Sequence, residues 1–98
     1  MFDADKYITR GVDVEIPPLI QQILWNMIFS LSCPADYLQV FRLHGGEHNG
    51  RLTQVVEHEQ EQPAHKNRYE FPFPEPVDAK IFVIDDGDYA TMLLSEEY

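Results

Sequence analysis

The sequence predicts an α+β fold, with one helix over about residues 18–32 packed on a mostly antiparallel sheet of five or six strands. Three observations lead there. One segment, entered by Pro17-Pro18 and closed by Cys33-Pro34, carries apolar residues at helical spacing. Short β-branched or aromatic runs lie around it, separated by Gly, Pro and Asp. Asp86-Gly87 stands between two of those runs and is a strong hairpin signal, because a type I′ turn needs φ > 0 twice.

Lys6-Tyr-Ile-Thr-Arg10 is β-branched and stops at Gly11, which predicts a strand. Val12 to Ile16 extends it past a kink. Proline suits the first helical turn, where its missing N–H has no partner to lose. The residue before Pro34 avoids the α region and ends the helix. At 100° per residue, Leu19, Ile20, Ile23, Leu24, Met27, Ile28 and Leu31 share one half-circle, which must face a sheet. Trp25 and Phe29 lie together beyond its edge.

Asp36 to His44 alternates as a strand. Gly45 to Gly50 is a loop by composition, and Arg51 to about Glu59 returns as a hairpin arm. That loop pairs His44 with Arg51 and His58 with Tyr37. Glu57 to Lys66 is polar and contains Pro63, which predicts loop. Arg68 to Phe73 forms a strand with Tyr69, Phe71 and Phe73 on one side. Pro72, Pro74 and Pro76 end it and place it at a sheet edge. Ala79 to Asp85 and Asp88 to Ser95 form the last hairpin, with Ile84 opposite Tyr89 and Val83 opposite Ala90.

Ninety-eight residues fit a single domain over 1–98. An apolar share of 44% with 12% aromatic supports a folded core without staples. Seventeen acids against seven bases give a net charge of −10. Nucleic acid is disfavoured as a partner, because non-specific binding draws on Lys and Arg neutralising phosphates. Anionic membrane surfaces are disfavoured for the same reason. Cys33 is the one cysteine, so no intrachain disulfide forms. Met1 to Arg10 has no apolar run of the signal-peptide kind, and no stretch approaches the ~20 apolar residues of a membrane span. These features point to a cytoplasmic protein.

Several segments carry a family resemblance. They are Tyr7-Ile-Thr-Arg-Gly11, Ile16-Pro17, Leu24-Trp25, Asp36-Tyr-Leu-Gln-Val-Phe41, Gln62-Pro63 and Ala79 to Asp88 followed by Thr91-Met-Leu-Leu94. Together they resemble a family of small proteins of Gram-positive bacteria catalogued as domain of unknown function 960. The resemblance spans nearly the whole chain, and the C-terminal hairpin is its most specific part. It implies no activity, cofactor or partner.

Candidate sites follow from residue type and placement. Asp85, Asp86 and Asp88 crowd one turn and are weak candidates for a hard cation, against the simpler role of shaping an Asp-Gly turn. His44, His48, His58 and Cys33 do not converge: seven strand residues separate His44 from His58 by about 23 Å, too far for one ion. No nucleophile elbow or phosphate loop is present. A pocket of ~300 Å³ is hard to carve from so small a core. No metal and no cofactor is expected.

The aromatic surfaces are more informative. Trp25 and Phe29 form one ridge, and Tyr69, Phe71 and Phe73 another. Their ordinary role is core, with the N-terminal segment covering the helix ridge. Their alternative role is partner binding, where Trp, Tyr and Phe supply most anchors. The expectation is therefore a non-enzymatic protein-interaction module that binds a protein partner or forms a homodimer. Two alternatives stand beside it: an acidic decoy for a basic nucleic-acid-binding protein, and a small metal-dependent module built on the acidic turn.

Overall fold

The computed structural model of the chain describes residues 5–98; residues 1–4, the start of the N-terminal segment considered above, lie outside them. The elements in order are β1 (Asp5–Ile8), α1 (Arg10–Glu15), α2 (Pro18–Phe29), β2 (Leu38–His48), β3 (Arg51–Gln60), β4 (His65–Pro72), β5 (Ala79–Asp85), β6 (Tyr89–Leu94) and a 3-10 turn at Ser95–Glu97. The strands form one six-stranded sheet in the order β1-β6-β5-β2-β3-β4. Every pairing is antiparallel except β1 with β6. The expected α+β architecture is present, and β4 with its terminal proline sits at a sheet edge.

The N-terminal segment differs from expectation. Val12 to Ile16 does not extend the first strand, because α1 occupies Arg10–Glu15. Its cap explains the change. The Thr9 Oγ1 accepts the Val12 N–H at 3.4 Å and donates to Glu97 Oε1 at 2.5 Å. The same carboxylate accepts the Gly11 N–H at 3.2 Å and the Leu94 N–H at 2.8 Å. Chain start and chain end are thus clasped by one side chain. Thr9 and the two amides hold the Glu97 carboxyl below its ordinary pKa. Thr9→Ala removes a helix cap and should cost about 1 kcal/mol in a urea titration.

α2 is shorter than the expected 18–32. Its buried residues are Ile20, Leu24, Trp25 and Ile28, while Leu19 is exposed. At 100° per residue the buried stripe is rotated by roughly 70° from the expected half-circle, toward Trp25. α1 accounts for the rotation, because Val12 and Ile16 join the core beside α2 and present a second apolar wall. Gln21 Nε2 donates to the Ile16 carbonyl at 2.8 Å and ties the two helices together. Against the sheet the core gathers Phe41, Leu43, Val56, Ile81, Val83, Ala90, Met92 and Leu94.

Both hairpin registers correct the expected ones. His48 pairs with Arg51, so the loop is only Asn49-Gly50, and Gly45-Gly46 lie in β2. Asn49 and Gly50 have φ of 51° and 78°, the two positive angles of a type I′ turn. His44 therefore faces Val55, and His58 faces Phe41 rather than Tyr37. In the last hairpin Ile84 faces Thr91 and Val83 faces Met92. Gly87, at φ 102°, takes the first central position of that turn, and Tyr89 N–H closes on Asp86 Oδ1 at 3.2 Å. The slip is two residues, which returns each side chain to its expected face. The polar stretch 57–66 is mostly strand too, with a turn at 61–64 only.

Candidate interaction surfaces

The register sorts every strand residue onto one of two sheet faces, since paired residues project to the same side. The helices cover the face bearing Phe41, Leu43, Ile81, Val83 and Met92. Among the described residues no α-helix covers the other face. There Tyr7, Thr91, Ile84 and Leu38 form one row across β1, β6, β5 and β2. Leu93, Phe82 and Val40 form the next row. Leu93 is buried, Phe82, Ile84, Leu38 and Val40 are half-buried, and Tyr7 and Tyr89 are exposed. Tyr7 meets Tyr89 edge-on at 5.4 Å, and Tyr98 meets Phe82 edge-on at 5.6 Å. This is a contiguous apolar patch on an open sheet face.

Charge surrounds the patch unevenly. Asp5 flanks Tyr89 in the register. Asp86 and Asp88 sit close enough to the Tyr89 phenol to raise its pKa, Asp86 foremost. Asp36, Glu59 and Glu61 line the groove of about 310 Å³ that holds Leu38, Val40 and Phe82. Against these six acids stand Arg42, which pairs with Glu59, and Lys80, whose Nζ lies 5.5 Å over the Phe82 ring. The margin therefore carries a net charge of about −4, two bases subtracted from six acids. The β3–β4 half of the same face is a lattice of mixed sign, where Glu57 stands between Arg42 and Arg68 and Glu59 between Val40 and Lys66. Five of the chain's seven basic residues, Arg42, Arg51, Lys66, Arg68 and Lys80, project from this face.

The aromatic residues singled out above fall in different places. Trp25 is in the core at 7% exposure. Phe29 is 53% exposed, with the Lys6 Nζ 4.9 Å over its ring and 6.0 Å over that of Trp25. Phe71 and Phe73 are half-buried against the core, and Tyr69 is 48% exposed. Tyr69, Phe71 and Phe73 form a ladder with centroids 5.3 and 6.0 Å apart. Beside it runs an open groove of about 630 Å³, with Ile23, Met27 and Leu31 on one wall and His65 and Tyr69 on the other. So small a core does leave surface grooves above the expected ~300 Å³, because α2 spans only part of the sheet.

The acidic turn is occupied with its own backbone. Asp85 Oδ1 accepts the Gly87 N–H at 2.8 Å, and Asp86 Oδ1 accepts that of Tyr89. Among the described residues no three His, Cys, Asp or Glu side chains gather as a metal would require. Beside the segment that follows α2 lies a polar chain that sequence reasoning missed. His58 Nε2 bonds Gln39 Oε1 at 2.6 Å, Gln39 Nε2 donates to Gln60 Oε1 at 2.7 Å, and Gln60 Nε2 donates to the carbonyls of Pro34 and Pro63.

The open apolar patch was also missed, although a signal existed. Ile81-Phe-Val-Ile84 and Met92-Leu-Leu94 are unbroken apolar runs. Such runs mark strands that are apolar on both faces, whereas a half-solvated strand alternates.

Comparison with known proteins agrees with the fold. No curated protein matches the chain. A crystal structure of a protein of unknown function from Enterococcus faecalis is similar, with a TM-score of 0.79 and 27% identity, over 98% of this chain and 92% of that one. The family model described as Staphylococcal protein of unknown function, domain of unknown function 960, matches residues 5–97, and the chain belongs to that family.

Proposed function

We propose that the chain is a protein-interaction module without chemistry of its own, and that its partner docks on the helix-free half-face formed by β1, β6, β5 and the start of β2. One observation carries this: a sheet apolar on both faces with, among the described residues, an α-helical layer on only one. Apolar sheet faces are normally packed against another layer, and contiguous exposed apolar patches on a single chain mark contact sites.

The acidic margin selects the partner. Two copies of this patch facing each other would set two margins of net negative charge against one another, which is unfavourable. A partner with an apolar centre and a basic rim meets both features. That class includes basic nucleic-acid-binding proteins, the partners of an acidic decoy.

The test is affinity capture from a lysate of the protein's own cells, with mass spectrometry and a salt series. Wild type should retain a basic protein whose retention falls as salt rises. Ile84→Glu, a half-buried position in the patch, should reduce retention at least about tenfold. Phe29→Ala, on the helix side, should retain it. Melting curves confirm that each variant is folded. Retention unaffected by Ile84→Glu, or a salt-independent complex, would remove this surface.

A further inference from the structure

The far edge of the sheet carries a separate inference. β4 has β3 on one side and, among the described residues, no strand on the other. The ladder runs from Thr53 opposite Pro72 to Gln60 opposite His65, and Phe73 N–H donates to the Leu52 carbonyl at 3.2 Å. In an antiparallel ladder, bonding residues alternate. Backbone groups of His65, Asn67, Tyr69 and Phe71 therefore face β3, and those of Lys66, Arg68 and Glu70 face outward. The Arg68 N–H is met by its own neighbour, Asn67 Oδ1, at 2.9 Å.

We propose that this edge pairs with a second copy of itself, β4 antiparallel to β4 about a two-fold axis at Tyr69. Lys and Pro on an edge usually prevent pairing, and Lys66, Arg68 and Pro72 fit that description. Glu70 changes the outcome. A two-fold centred on Arg68 sets Lys66 against Glu70 on either side but opposes two arginines on the axis itself, and one centred on Glu70 opposes two glutamates. Centred on Tyr69, Arg68 of each copy faces Glu70 of the other, so the Arg68–Glu70 ion pair that each strand already makes at 3.1 Å joins its copy in a four-charge cluster, and Lys66 faces Pro72 at the ends. Opposite charges directly across a strand pair stabilise it, and like charges destabilise it.

The backbone fits the same register. Each Arg68–Glu70 pair makes two hydrogen bonds, the one from the Arg68 N–H replacing its bond to Asn67 Oδ1, and each Lys66–Pro72 pair makes one, six in all. On the helix side the axis sets Tyr69 against its copy, so two half-exposed rings that already lean on Phe71 at 5.3 Å lose water together. The grooves lined by Ile23, Met27 and Leu31 then open onto one shared trough. A two-fold perpendicular to the sheet also leaves both helix-free faces on one side.

Sedimentation equilibrium across a concentration series tests this without a partner protein. Wild type should approach twice 11.4 kDa at the highest soluble concentration. Arg68→Glu and Glu70→Arg should each remain at 11.4 kDa, because each sets like charges across the axis. Mixed in equal amounts, the two should form a heterodimer, since every contact across the axis then sets a glutamate of one variant against an arginine of the other. The double variant should dimerise again. Circular dichroism confirms the fold of each. A wild type that stays at 11.4 kDa overturns the proposal, as do single charge reversals that remain dimeric.

Discussion

Trp25→Ala should lower the unfolding free energy by about 3–5 kcal/mol, the usual cost of emptying a buried aromatic site. For a chain of 98 residues that corresponds to a melting temperature lower by roughly 15–25 °C. The indole is 7% exposed and shares its cluster with Ile20, Leu24, Ile28 and Val12. Removing it empties the seam between the two helices and the sheet. Total stabilities of about 5–15 kcal/mol leave little margin for such a loss.

Phe29→Ala is the internal control. Its ring is half exposed and touches the Lys6 ammonium, an exposed cation–π contact worth about 0.5–1 kcal/mol. The expected loss is about 1 kcal/mol. Urea titrations of both variants decide the matter. A Trp25→Ala cost below about 1 kcal/mol would mean that the indole is not sealed in solution, and that the helix ridge is a surface after all.

The contrast shows how the helix was readable and its orientation was not. Pro17-Pro18 and Cys33-Pro34 mark the segment locally. Which residues of α2 are buried depends on what packs beside it, and the cap of α1 is held by a contact between Thr9 and Glu97, 88 residues apart. Composition also misled at Gly45-Gly46. A Cβ at Gly46 would lie 2.7 Å from Thr53 Oγ1, so glycine there answers a close neighbour across the strand pair rather than a turn. The turn needed Asn49-Gly50, whose positive φ angles are legible once that dipeptide is weighed above its glycine-rich surroundings. The parallel β1–β6 pair carries no local signal, because its partners lie about 84 residues apart. Phe29 and Tyr69 are exposed where the ordinary reading made them core, while the larger patch of Phe82, Ile84, Leu38 and Val40 was concealed within strands that look like ordinary core.

The stability of the chain should fall by about 2 kcal/mol between pH 7 and pH 5, and His58→Gln should abolish most of that slope. His58 is 1% exposed, stacked on Phe41 with centroids 4.3 Å apart. The Gln39 amide nitrogen is committed to Gln60 Oε1 and the Asp36 carbonyl. Its oxygen must therefore face His58, so the imidazole proton sits on Nε2. Nδ1 is buried and meets no hydrogen-bond partner among the described residues. Charging the ring would place a second proton on that atom in apolar surroundings. Burial, with His65 nearby adding repulsion, lowers the pKa from 6.5 to about 4. The folded value lies below the unfolded one, so the unfolded chain takes up the proton first. The stabilisation is complete above the unfolded pKa and is lost as pH falls toward 4. Two titrated units at 1.36 kcal/mol each, less the incomplete protonation near pH 7, give the stated figure of about 2 kcal/mol. The window avoids the carboxylates of Glu70 and Glu97, whose pKa values are lowered by their hydrogen bonds to Thr53 and Thr9. Glutamine at 58 retains a donor for Gln39 and does not titrate. Urea-derived free energies at pH 7, 6 and 5 for both proteins provide the check, and equal slopes would show that the imidazole reaches water and that the His58–Gln39–Gln60 network is open.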